Sequence, residues 1–184
     1  MSLLPLRKTH HLRRGRVSLP GGRYFLTLCT PARQPVFAQE SEARRVTTAL
    51  HVTHAVGDID LLAATVMPDH VHLLFILGQR LTLGQVMAKL KNLARDGGKV
   101  SWRWQEDGFE HHLRPHETTE DYGFYIFMNP YRAGLCALDA TWPWWICPDE
   151  KRFVFPAHLG ARVSVPVEWL GDAAEVAANI ATGE

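Results

Sequence analysis

Cysteine is scarce in this chain: Cys29, Cys136 and Cys147 are the only three among 184 residues. An odd number with no paired metal-ligand spacing argues against a disulfide scaffold and fits a reducing compartment. An excess of charge is also lacking, since 20 Lys plus Arg face 19 Asp plus Glu. A nucleic-acid-binding role would therefore need its positive charge gathered on one surface. No apolar run approaches the length of a membrane span, and the first residues hold no apolar stretch of the length a signal peptide needs. No internal repeat is present. These absences lead to the expectation of a soluble cytoplasmic protein with no membrane partner. The length suits one domain with extensions, and 46% hydrophobic residues are enough for a sizeable core.

Positive charge is gathered at one place. Arg7, Lys8, Arg13, Arg14 and Arg16 crowd together with His10 and His11 between them, which reads as a solvated arm or as one that lies along phosphates. Residues 1–22 are taken as this arm. A Pro20-Gly21-Gly22 turn signal then precedes a first strand, Arg23–Thr30, rich in aromatic and β-branched residues. Ser41–Val56 has helical spacing of Val46 and Leu50, with Ser41 as its expected cap. Ile59–Met67 and His70–Leu77 read as a strand pair joined at Pro68-Asp69. Thr82 is expected to cap a second helix through Leu83, Val86, Met87, Leu90 and Leu93. Gly108–Arg114 reads as a fourth strand. Thr118 or Thr119 starts a third helix, with Glu120 and Asp121 where its dipole favours them.

The order β-α-β-β-α-β plus a helix is the split βαβ, ferredoxin-like arrangement. The expected fold class is α+β: an antiparallel sheet with two helices on one face and an added C-terminal helix carrying the catalytic residue. Residues 23–150 form the domain, and residues 151–184 a C-terminal extension that is either a short helix around Ala173–Ile180 or loose.

The stretch "MPDHVHLLF" sets His70 and His72 on one face of a strand, with Val71 pointing to the core. Two imidazoles so placed can converge on one divalent ion, leaving positions open for a substrate oxygen. Tyr125 and Asn129 are four apart in "YGFYIFMNP" and share a helix face, so a phenolic oxygen and an amide oxygen can reach one point. Such a donor set suits Mg²⁺ or Mn²⁺ better than a thiolate site would. Pro130 either ends the helix at Asn129 or kinks it, with continuation to Ala133 and Gly134 just beyond. Tyr122 is the rival nucleophile, but Ile126 stands where a partner amide would be needed. Lys89, Lys91, Arg95 and Lys99 on the second helix are either its solvated face or a DNA-binding row.

"MPDHVHLLF", then "WQEDGFEHHLR", then "DYGFYIFMNPYRAGL" resembles the REP-associated tyrosine transposases, single-tyrosine members of the HUH nuclease superfamily. "RRGRVSLPGGRYFLTLCTPARQPVF" also looks like the start of these proteins, so the resemblance covers roughly Arg13 to Trp145. It implies His70, His72 and Asn129 as metal ligands and Tyr125 as the nucleophile. It further implies single-stranded or hairpin DNA, at repetitive extragenic palindromes, as the partner. The family often has a histidine two residues after the tyrosine; this chain has Phe127, a position expected off the active face. The activity so implied is metal-dependent cleavage and strand transfer through a 5′-phosphotyrosine, by a monomer or homodimer. Arg7, Lys8, Arg13, Arg14, Arg16, Lys89, Lys91 and Arg95 are the expected DNA contacts. The alternatives are a non-enzymatic hairpin-binding protein that keeps the fold and a phosphodiesterase acting through water.

Overall fold

The computed structural model describes residues 18–106, 108–159 and 164–182. The basic residues Arg7, Lys8, Arg13, Arg14 and Arg16 lie outside them. Strands β1 (Arg23–Cys29), β2 (Ile59–Val66), β3 (His70–Leu77), β4 (Phe109–His112) and β5 (Trp145–Ile146) form one sheet in the order β4-β1-β3-β2-β5. Every neighbouring pair is antiparallel. Helices α1 (Glu40–Ala55) and α2 (Leu83–Ala94) follow β1 and β3, as the ferredoxin-like order requires. Helices α3 (Thr119–Arg132) and α4 (Trp169–Thr182) come later. Among the described residues no helix is long and apolar enough to cross a membrane.

Alternation of side chains gives the sheet two buried faces. Tyr24, Leu26, Leu28, Val71, Leu73, Phe75 and Leu77 pack with Val46 and Leu50 of α1 and Val86 and Leu90 of α2. Phe25, Leu62, Ala63 and Leu74 point the other way and pack with Ile126, Met128 and Tyr131 of α3. A register shift between Leu61 and Ala63 puts both Leu62 and Ala63 on this second face. α3 is therefore the lid of the face that carries His70 and His72.

α3 holds its position despite an internal proline. Pro130 costs about 3 kcal/mol within a helix. Ile126 and Met128 are fully buried, and each contributes about 1.5–3 kcal/mol by burial, so packing wins. Thr118 caps the helix, its hydroxyl accepting from the Asp121 backbone N–H at 3.1 Å. The helix runs through Pro130 to Arg132 and closes on Gly134, whose φ of 67° suits glycine. The N–H groups of Gly134 and Leu135 donate to the carbonyls of Tyr131 (3.0 Å) and Pro130 (2.9 Å), a Schellman closure.

Two local expectations need correction, and one open alternative is decided. Ser41 lies inside α1, and its hydroxyl is 3.4 Å from the Glu42 carboxylate; Gln39 occupies the cap position without a side-chain bond. Acidic Glu40 and Glu42 in the first turn offset the helix dipole in its place. Leu93 is exposed, because the apolar stripe of α2 leaves it on the rim. The C-terminal segment is not loose: Phe153, Phe155, Val165 and Ala173 join the second core. Glu120 accepts from the backbone N–H groups of Val154 (2.9 Å) and Phe155 (3.0 Å). A Cβ on Gly123 would stand 2.2 Å from the Phe153 ring, so the extension and α3 fit each other closely.

Candidate metal and nucleophile centre

The turn at Pro68-Asp69 feeds β3 directly, and the Met67 N–H donates to the His70 carbonyl at 2.8 Å. Thr30 pins the turn from the end of β1, with its N–H at 2.9 Å and its hydroxyl at 3.0 Å from the Asp69 carbonyl. The Asp69 carboxylate lies 2.5 Å from Nδ1 of His70 and accepts its proton. On the neighbouring pair of the same face, Thr27 Oγ1 lies 2.9 Å from Nδ1 of His72. The two Nε2 atoms then meet at 3.0 Å.

Proton positions follow from this order. With Asp69 fixing His70 as the Nδ1–H tautomer, Nε2 of His70 carries a lone pair. In the free site His72 donates through Nε2 to His70, and the Thr27 hydroxyl donates to Nδ1 of His72. A hydroxyl both donates and accepts, so Thr27 serves the opposite tautomer equally, in which Nδ1 of His72 donates to it and both Nε2 lone pairs face one point. Ligands about 2.0–2.1 Å from one ion at a right angle lie about 3 Å apart, the spacing observed here. Burial, above all, holds the His72 imidazole well below the usual histidine range, with further lowering by His70 and Arg33. His70 is lowered too, chiefly by burial, against the opposing pull of Asp69. Both rings are thus neutral at neutral pH, the state a metal ligand needs.

α3 brings the phenol. The Tyr125 ring stands 5.4 Å from the His72 ring and 5.9 Å, edge on, from Phe25. Asn129 is one turn further, its amide nitrogen 3.4 Å from the Tyr125 carbonyl. Among the described residues no three His, Cys, Asp or Glu side chains converge, so an ion held by the two imidazoles would need a further donor of another kind. Tyr122 is engaged elsewhere. Its hydroxyl donates to Glu117 at 3.1 Å, and its ring stacks on His111, which also bonds Glu117. Burial and then the Glu117 charge raise its pKa steeply, so it is a poor nucleophile. Phe127 packs with Tyr131, Trp145 and Phe155, away from the imidazoles.

The cations of α2 have protein partners. Lys89 pairs with buried Asp58 at 2.5 Å. Lys91 donates to the Gln105 carbonyl at 2.9 Å, and Arg95 to that of Trp102 at 2.9 Å. The structure adds residues that the sequence did not single out: Asp69 and Thr27, which orient the histidines, Glu117, which occupies Tyr122, and Arg132, whose guanidinium lies 5.7 Å from the centre of the Tyr125 ring. A carboxylate next to the first histidine was the one available signal.

The fold and this centre define an α+β domain with a histidine pair on its sheet and a tyrosine helix across it. Residues 19–102 match the family described as "Transposase IS200 like". The chain is similar in structure to a REP-associated tyrosine transposase solved bound to a REP hairpin, with a TM-score of 0.59 and 21% identity over 84% of this chain and 88% of that one. A putative transposase from Deinococcus radiodurans R1 aligns over 56% of this chain and 88% of its own, with 22% identity and a TM-score of 0.45. No curated protein matches the chain.

Proposed function

We propose that this chain is a DNA-cleaving and strand-transferring transposase that acts at hairpin DNA through Tyr125, with His70, His72 and Asn129 as ligands of Mg²⁺ or Mn²⁺. The observation that carries the reading is the meeting of the two Nε2 atoms at 3.0 Å with the Tyr125 ring 5.4 Å from His72. The likeness in fold to a transposase described as bound to a REP hairpin supports the choice of partner.

A divalent ion at the histidines would supply positive charge to a non-bridging phosphate oxygen. Asp69 and Thr27 orient the two rings toward it. Tyr125 attacks phosphorus in line; its oxygen–phosphorus bond forms as the bond to the 3′-oxygen breaks, and the phenol proton passes through solvent to the departing 3′-hydroxyl. One phosphodiester replaces another, so the bond needed for rejoining is kept as a 5′-phosphotyrosine. Phe25 and the flank of α3 hold the phenol in place. The arm residues Arg7, Lys8, Arg13, Arg14 and Arg16 are proposed phosphate contacts. Lys89, Lys91 and Arg95 would contact DNA only by sharing or exchanging their protein partners. The DNA substrate implies work in the cytoplasm.

The test is incubation with labelled hairpin DNA and Mn²⁺, followed by denaturing electrophoresis. A metal-dependent, denaturation-resistant protein–DNA adduct is expected. Binding without cleavage would favour the hairpin-binding alternative, and cleavage without an adduct the water-using phosphodiesterase.

A further inference from the structure

The geometry points to Arg132 as the residue that grips the phosphate under attack by Tyr125, a catalytic role that rests on the proposed nucleophile. Arg132 closes α3, two turns beyond Tyr125 on the same flank, and its guanidinium lies 5.7 Å from the centre of that ring. It is exposed to solvent, so incoming DNA can reach it. Its charge is also uncommitted. Arg33 faces Asp69, Arg44 faces Glu40, Arg80 faces Asp58 and Arg152 faces Asp60, whereas among the described residues no carboxylate lies within ion-pair distance of Arg132. The acidic residues of its own helix are at the far end, where Glu120 holds the Val154 N–H and Asp121 contacts Thr118.

Two consequences follow from a free guanidinium beside a phenol. Its planar fork can aim two N–H donors at one non-bridging oxygen of a phosphodiester, as a point-like ammonium cannot, and leaves the other oxygen to the histidine side. Its position against the ring also favours the phenol as it gains negative character, because the attraction grows with that charge. The histidine pair is on the sheet side of Tyr125 and Arg132 on the helix side. With a divalent ion at the histidines, a phosphate at the phenolic oxygen would meet positive charge from both sides. Arg132 makes or breaks no covalent bond in this role; the Tyr125 oxygen–phosphorus bond forms and the phosphorus–3′-oxygen bond breaks as described above.

The alternative role for Arg132 is structural, since a cation in the last turn complements the helix dipole. Chemistry at the phosphate separates the two. A stem-loop DNA pool with a fixed palindromic stem and randomised flanks is incubated with the wild-type chain and Mn²⁺, and an oligonucleotide recovered as an adduct becomes the probe. Recovery of no adduct, or an adduct that persists in Tyr125→Phe, overturns the nucleophile reading and this inference with it. With Tyr125 confirmed, Arg132→Gln should form the adduct roughly 10- to 150-fold more slowly, the loss expected for a hydrogen bond to a charged group, while hairpin affinity changes little. Arg132→Lys should fall between. The probe is then made with a methylphosphonate at the scissile position, and its two diastereomers are separated. In one of them the wild type and Arg132→Gln should react within about threefold of each other, because the oxygen that Arg132 contacts is gone. An unaltered rate in Arg132→Gln, or an equal slowing on the charged probe and both diastereomers, overturns the inference and leaves Arg132 a helix-end residue. Should Arg132→Gln misfold by circular dichroism, the same cycle run with Arg132→Lys decides.

Discussion

Thr27→Val tests the proton arrangement at the histidine pair. The change replaces a hydroxyl by a methyl group at nearly constant volume, in the middle of β1. Thr27 Oγ1 is 2.9 Å from Nδ1 of His72, and His72 is only 5% exposed, so no water reaches that nitrogen easily. Either tautomer of His72 then loses a partner that it cannot replace. A buried polar atom left unpaired costs about 1–3 kcal/mol. For a chain of this size that corresponds to a fall of roughly 2–12 °C in melting temperature. Because the same bond keeps the His72 ring turned so that its Nε2 and that of His70 face one point, Mn²⁺ affinity should drop by about 10- to 100-fold. Thr27→Ser keeps the oxygen and should stay near the wild type in metal binding. Denaturant unfolding and calorimetric Mn²⁺ titration of the three proteins measure both effects. A Thr27→Val protein as stable as the wild type, with unchanged Mn²⁺ affinity, would refute the arrangement.

Three further outcomes are expected. Both imidazoles are held below 6.5 by burial, so the unfolded chain binds more protons in acid; their contribution to stability is present above pH 6.5 and declines as pH falls through the folded values. Unfolding free energy should therefore lose part of its slope between neutral and acid pH in the His70→Asn/His72→Asn double variant, and equal slopes would count against neutral, buried rings. Tyr122→Phe removes the bond to Glu117 and should cost about 1 kcal/mol of stability while adduct formation continues; an inactive but folded variant would reinstate Tyr122. Gly123→Ala drives a Cβ into the Phe153 ring and should destabilise by about 1–3 kcal/mol in chemical denaturation, whereas a neutral effect would mean that the C-terminal segment yields freely.

The βαββαβ order was legible because each element carries its own local signal. The alternation in "HVHLLFIL" predicts a strand over His70–Leu77, and β3 has those bounds. Thr82 predicts a helix start, and its hydroxyl accepts from the Gln85 N–H in a full capping box. β5 escaped notice because it is only two residues long and exists by pairing with Ala64 and Thr65 of β2. Phe153, Phe155 and Val165 escaped for the same kind of reason: they show no periodicity, and only their packing in the α3 core reveals them. At the site, spacing placed His70 and His72 on one strand face and Tyr125 and Asn129 on one helix face, and the resemblance implied that the two meet. What orients the His72 ring was hidden, since the contact between Thr27 and His72 spans 45 positions. The engagement of Tyr122 by Glu117 was equally out of reach, because it depends on how the turn before α3 folds back.

The proposed mechanism turns on a covalent bond from the Tyr125 oxygen to DNA. The measurement is mass mapping of the tryptic peptide that retains a 3′-labelled hairpin strand after incubation of the wild type, Tyr125→Phe and Tyr122→Phe with Mn²⁺. Label is expected on the peptide containing Tyr125 in the wild type and in Tyr122→Phe, with fragmentation that places it on residue 125, and none in Tyr125→Phe or with chelator. Label on Tyr122, or cleavage that persists in Tyr125→Phe, would contradict it.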